Sequence, residues 1–318
     1  MRKGYFIVCK HWNVRGKYLW IPFLPSLRPE QYNGEGADPH LAVLMDILGR
    51  NNVKVFGAGE RTVVFVHGFG CDQSMWRLVA PAFADRYRVV LLDLVGAGQS
   101  DLTAYDPARY STLEAHADDV LAVLHALNLS AVALVGHSVS AIIGMLAAIR
   151  EPERFAGLVM LGPSPHYLNE PGYAGGFERA DIDELLEVMD SNYLGWAGDF
   201  APVVMGAPEQ PALREELSAS FCRTDPAIAR HFARVIFLGD NRADLPRLRT
   251  PTLVVQSAHD AIAPRAVGTY VHQQLPGSQL VVVNTAGHCA HLSAPRETIA
   301  ALAPFLDALP MPAPLQPA

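Results

Sequence analysis

The sequence predicts an α/β fold, a mostly parallel, doubly wound sheet with helices on both faces and an inserted helical cap. Three observations predict it. From Asn52 onward, short β-branched runs alternate with helical stretches. Several runs, such as TVVFV, VVLLDL and TLVVQ, are apolar at consecutive positions, as strands covered on both sides are. Finally, about ninety residues without a strand signal separate the runs at 157–161 and 252–256, too many for a structureless loop.

In chain order, strands are expected at 53–56, 62–67, 88–94, 131–135, 157–161, 252–256 and 279–284. Helices are expected between and after them, at 74–83, 112–127, 139–149, 264–274 and 295–309. Pro264 and Pro295 suit first helical turns, where a missing N–H costs nothing. The insert has helical spacing at 181–190, 211–221 and 226–238 and is rich in large apolar side chains, among them Phe177, Trp196, Phe200, Phe221, Phe232 and Phe237. Most of these hold the cap together, and a minority face a pocket over the sheet's C-terminal edge. The expected organisation is a core of 45–162 and 249–309, a cap of 163–248 and a Pro-rich disordered tail of 310–318.

With 318 residues, half of them apolar and 18% charged, the chain can bury one large core. A net charge of −7 argues against nucleic acid and anionic membrane as partners. Cys9, Cys71, Cys222 and Cys289 stand far apart with no CxxC pair, which reads as reduced thiols in a cytoplasmic protein. No apolar run approaches the roughly 18 residues a membrane helix needs. The N-terminus departs from the rest. Residues 1–30 hold six basic side chains against Glu30 alone, a net of +5, leaving −12 elsewhere. The apolar stretch at 5–9 is too short for a signal peptide. Met45 opens MDILGRNNVKVF, which reads as a natural start, so residues 1–44 are expected to be an unstructured or artefactual extension.

The sharpest motif is Gly136-His137-Ser138-Val139-Ser140, set between the apolar strand AVALV and the helical AIIGMLAAI. A strand, a sharp turn and a helix with serine at the apex form a nucleophile elbow. The elbow's usual last glycine is replaced by Ser140, small enough to fit with some crowding. Such a serine needs a base, and in folds with this elbow an acid and then a histidine follow in chain order. Asp260 ends TLVVQSAHD, and His288 follows QLVVVN within TAGHCAH. Both fall just beyond strand C-termini, where sheets of this kind build their sites. His288 is expected to take the Ser138 proton, and Asp260 to fix the imidazole tautomer. His259 is expected to point away from Asp260, and His291 to begin the next helix. HCAH lacks the further ligands of a zinc site.

His67-Gly68-Phe69-Gly70 follows TVVFV directly. A glycine-flanked turn there aims a backbone N–H into the site, so the Phe69 and Val139 amides are assigned as oxyanion donors. Phe69, His137, Trp196 and Phe200 are expected to line the substrate pocket. The GAGQSD stretch at 96–101 lacks the third glycine and the lysine of phosphate loops and is read as structural. No cofactor or metal is expected.

These motifs resemble the α/β-hydrolase superfamily and, more narrowly, its RsbQ-like branch. The stretches HGFGCDQSMW, GHSVSAIIGMLAAI, VMLGPSPHYLNE, YLGWAGDFAP, FCRTDPAIARHFA and AGHCAHLSAP carry the resemblance across roughly 51–309. It implies Ser138, Asp260 and His288 as a triad and Phe69 and Val139 as oxyanion donors. It further implies a cytoplasmic role in sigma-factor energy-stress signalling beside a PAS-domain phosphatase. Plant strigolactone and karrikin receptors, which pair weak hydrolysis with signalling, resemble the same branch. Two readings follow. One is a hydrolase of a small hydrophobic ester, lactone or related acyl compound; the other is a ligand sensor with little turnover. Cofactor-free haloperoxidase or lyase chemistry uses the same triad. Epoxide hydrolases and dehalogenases carry aspartate where this chain has Ser138.

Overall fold

The computed structural model of the chain describes residues 39–310. A helix, α1 (Pro39–Arg50), leads into the strands β1 (Lys54–Phe56), β2 (Arg61–Val66) and β3 (Tyr87–Leu92). Helix α2 (Glu114–Ala126) connects to β4 (Val132–His137), and α3 (Val139–Arg150) to β5 (Phe155–Leu161). The insert supplies α4 (Arg179–Ser191), α5 (Tyr193–Met205), α6 (Pro211–Arg223) and α7 (Pro226–Leu238). Strand β6 (Thr252–His259), helix α8 (Arg265–Gln274), strand β7 (Gln279–Ala286), the short α9 (Ala290–Ser293) and α10 (Pro295–Ala308) complete the described chain.

The strands form a sheet in the order β1-β3-β2-β4-β5-β6-β7. Only the β1–β3 pairing is antiparallel; the remaining neighbours are parallel. Alternate residues of one strand feed opposite faces. On β2, Val64 and Val66 join the layer built with α2, α3, α8 and the cap, while Val63 and Phe65 join Trp76, Phe83 and α10. Burial on both faces explains the continuous apolar runs. Strand β4 lies mid-sheet, and its C-terminal end is where Ser138 stands.

Three elements differ from the sequence reading. Residues 39–44, expected to be unstructured, are helical, because the break placed at 44/45 falls inside α1. The C-terminal end of that helix is tied into the core. The Arg50 carbonyl accepts the Asp101 amide at 2.8 Å, and the Arg50 guanidinium lies 3.0 Å from the buried Asp119. The remainder of the expected extension, 1–38, and the tail at 311–318 lie outside the described residues. The helix expected at 74–83 is two short 3-10 turns, Gln73–Trp76 and Ala80–Phe83. Pro81 is the second residue of the latter, and its missing N–H prevents one continuous helix. Helix α5 was not expected at all. Gly195, Gly198 and Pro202 weaken its intrinsic propensity, and it forms through burial of Tyr193, Trp196, Ala197, Ala201, Val204 and Met205.

Candidate active site

Ser138 is the single residue between β4 and α3, with φ 57° and ψ −123°. A non-glycine residue there carries strain of about 1–3 kcal/mol, so the surroundings must hold it. The Ser138 amide donates to the Leu161 carbonyl at 2.8 Å on the neighbouring strand. A Cβ on Gly136 would stand 2.2 Å from the Ser140 carbonyl oxygen, so no side chain fits at that position. Ser140 itself is fully buried, and its hydroxyl donates to the His67 carbonyl at 2.5 Å. The expected crowding is thus a hydrogen bond that fastens the elbow to the end of β2.

The structure brings Ser138, His288 and Asp260 together. Ser138 Oγ lies 2.7 Å from His288 Nε2, and His288 Nδ1 lies 2.7 Å from Asp260 Oδ2. An ionised carboxylate only accepts, so Nδ1 carries the imidazole hydrogen and Nε2 is left to receive the serine proton. The other Asp260 oxygen, Oδ1, accepts the amides of Ile262 at 2.8 Å and Ala263 at 3.0 Å. All three residues are buried. The two rival histidines are elsewhere: His259 is exposed at the end of β6, and His291 lies on α9 between Trp76 and His137.

Val139 directly follows the serine and Phe69 lines the same cavity, and among the described residues neither amide donates a hydrogen bond. Val139 opens α3, where helix N–H groups are unpaired and the dipole favours negative charge. A Cβ on Gly68 would stand 2.6 Å from His137 Nδ1 and 3.3 Å from the Ser138 Cβ, so glycine lets this backbone approach the serine.

A cavity of about 30 Å³ meets Ser138 and His288. That is room for a water or two. Of the expected pocket residues, Phe69, His137 and Phe200 line it. Trp196 does not. It lines a separate outer cleft with Asp181, Glu184, Leu185, Val188, Asp199 and Phe200. Its indole stacks on Phe221 at 5.4 Å and meets Phe69 edge-on at 6.2 Å, one layer behind the cavity wall. Tyr167 and Ile262 also line the cavity and escaped the sequence reading. Each follows the C-terminal end of a strand, β5 or β6, at the sheet edge that carries the triad. That placement is the signal by which they could have been found.

Burial pushes the Tyr167 hydroxyl up to about 12, with Ser138 opposing. Burial, with His291 and His288 adding, holds His137 well below its usual value. His137 is therefore a neutral imidazole, and its Nε2–H donates to the His288 carbonyl at 3.0 Å. Burial raises the Cys71 and Cys289 thiols, both on the cavity wall, far from thiolate character. A thiol held protonated is a poor nucleophile, which leaves the cavity's reactive pair as Ser138 and His288.

A serine at a strained strand–helix turn, a histidine and an acid on successive strand ends, and two unpaired amides together define a hydrolase built on a doubly wound sheet. The chain belongs to the alpha/beta hydrolase family, whose model matches residues 63–302. It is similar to karrikin insensitive 2 receptor CA of Petunia hybrida, at 43% identity over 79% of this chain and 94% of that protein. It is equally similar to strigolactone esterase D14 of Arabidopsis thaliana, at 43% identity over 82% of this chain and 96% of that one. Among solved structures, olei00960, a hydrolase from Oleispira antarctica, superposes with a TM-score of 0.82 at 44% identity, covering 83% of this chain and 97% of that chain.

Proposed function

We propose that the chain hydrolyses a small hydrophobic ester, lactone or related acyl compound through Ser138. The observation that carries this reading is the continuous hydrogen-bonded line from Ser138 Oγ through His288 to Asp260. Ser138 Oγ attacks the carbonyl carbon as its proton passes to His288 Nε2. The carbonyl oxygen becomes an oxyanion held by the amides of Phe69 and Val139. The imidazolium, stabilised by Asp260, protonates the departing alcohol oxygen and leaves an acyl-serine. Water, deprotonated by His288, attacks that ester, and the acid departs as Ser138 regains its proton. Besides Ser138, His288 and His137, the cavity wall is phenyl, aliphatic and thiol groups plus the Tyr167 hydroxyl, which suits an apolar ligand.

A sensing role is the second reading, and the receptor name of one relative favours it. The Petunia protein is named a receptor and the Arabidopsis protein an esterase. In the RsbQ-like form of this reading, the protein acts in the cytoplasm, and its partner is a PAS-domain phosphatase of a stress pathway. Among the described residues no helix is long and apolar enough to cross a membrane.

The test is turnover of 4-nitrophenyl acetate and a panel of small lactones by wild type and Ser138→Ala, beside co-purification with a PAS-domain phosphatase. Hydrolysis lost in Ser138→Ala supports the first reading. Rapid turnover of one metabolite with no co-purifying partner removes the signalling reading.

A further inference from the structure

Two helices of the cap reach past the cavity and grip the segments that carry the reacting groups. The first is α5. Its last-turn carbonyls have no partner within the helix, and one of them, on Val204, accepts the His288 amide at 2.8 Å. The helix ends at Gly206 in the left-handed conformation, φ 58°. A Cβ there would stand 2.5 Å from the Gly287 Cα, and a Cβ on Gly287, φ 89°, would stand 1.8 Å from the Met205 carbonyl oxygen. Two backbones therefore lie in direct contact at the residue before His288, with no room for a side chain on either. The negative end of α5 also faces the turn whose imidazole becomes positive during the reaction.

The second grip is on the turn after β2. Ser220, buried on α6, donates its hydroxyl to the Gly70 carbonyl at 2.8 Å. The neighbouring Phe221 ring would lie 2.2 Å from a Cβ on Gly70. Gly70 follows Phe69, whose amide is the oxyanion donor. The same helices face the cavity through Phe200, Val204 and Phe221.

We propose that the cap positions the reacting groups, with Gly206 and Gly287 setting the place of His288 and Ser220 setting the place of the Phe69 amide. These are positioning residues, since none lines the cavity. The inference rests on the hydrolytic reading above. It gives the cap a second role: any ligand that displaces α5 or α6 also displaces the base or the oxyanion donor, so cap position and turnover are linked.

The experiment measures kcat and KM with 4-nitrophenyl acetate, and melting temperature, for wild type, Gly206→Ala, Ser220→Ala, Val203→Ala and Ser138→Ala. A misplacement of the order of an ångström lowers kcat by roughly 10- to 100-fold in Gly206→Ala, with KM within about twofold. Loss of support for one oxyanion donor lowers kcat by about tenfold in Ser220→Ala, again with KM little changed. Val203, exposed on α5, should tolerate alanine without loss. Should Gly206→Ala fail to fold, Ser220→Ala, which deletes one atom, decides. Wild-type kcat in the folded variants, or an equal fall in Val203→Ala, overturns the inference. Turnover that survives Ser138→Ala overturns the hydrolytic reading instead and is told apart by that variant alone.

Discussion

Ser138, His288 and Asp260 form one hydrogen-bonded line drawn from three strand ends, and each is marked locally in the sequence. The serine sits in a five-residue motif, and the other two directly follow apolar strands. Their partners are less legible. Nothing in GHSVS reveals that Ser140 bonds to the His67 carbonyl, since that contact spans 73 positions. Tyr167 and Ile262 reach the cavity only through the path of loops after β5 and β6. Ser140 also yields a prediction. Ser140→Ala keeps the small volume the elbow needs but removes a buried hydrogen bond, so stability should fall by about 1 kcal/mol. In a chain of this size that lowers the melting temperature by roughly 2–4 °C. Calorimetry that finds no fall would show that the bond contributes nothing.

At the scale of elements, the cap is where sequence and structure part. Helices α4, α6 and α7 are signalled by spacing, or by Pro211 and Pro226 at first turns. Helix α5 is not, because two glycines and a proline outweigh its local pattern until it packs. This same helix sorts the expected pocket residues. Phe200 lines the cavity, whereas Trp196 stands behind Phe221 and Phe69. Phe200→Ala should open the wall and raise kcat/KM for butyryl over acetyl esters. Trp196→Ala should shift that ratio less, since its ring is one layer removed. Acyl-chain profiles of the two variants check this, and a larger shift in Trp196→Ala would mean that the indole borders the acyl site directly.

For the molecule as a whole, the alternation of strand and helix conveys the parallel sheet, because burial on both faces writes itself into consecutive apolar positions. It does not convey which polar groups end up inside. His116 is fully buried on α2 against Tyr110 at 4.6 Å and Phe232 at 4.7 Å, and neither ring nitrogen has a hydrogen-bond partner. Burial lowers His116 to about 3, and it lowers His291, on α9, to about 3 as well. Both are neutral when folded, whereas the unfolded chain takes up their protons below about 6.5. The unfolded state thus binds more protons between about 6.5 and 3. The stability these residues contribute is complete above 6.5 and is lost as the pH falls towards 3. His116→Phe, which removes one such site away from the triad, should make the melting temperature less steep in pH below 6.5. An unchanged slope would contradict the assignment of His116 as a buried neutral imidazole.

Ser138 as the nucleophile and His288 as its base make a claim about one covalent bond. It is tested most directly by intact-mass and peptide analysis after reaction with a fluorophosphonate. One phosphonyl adduct is expected, located on Ser138, absent in Ser138→Ala and formed far more slowly in His288→Ala. An adduct on another residue, or labelling of Ser138→Ala at the wild-type rate, would contradict it.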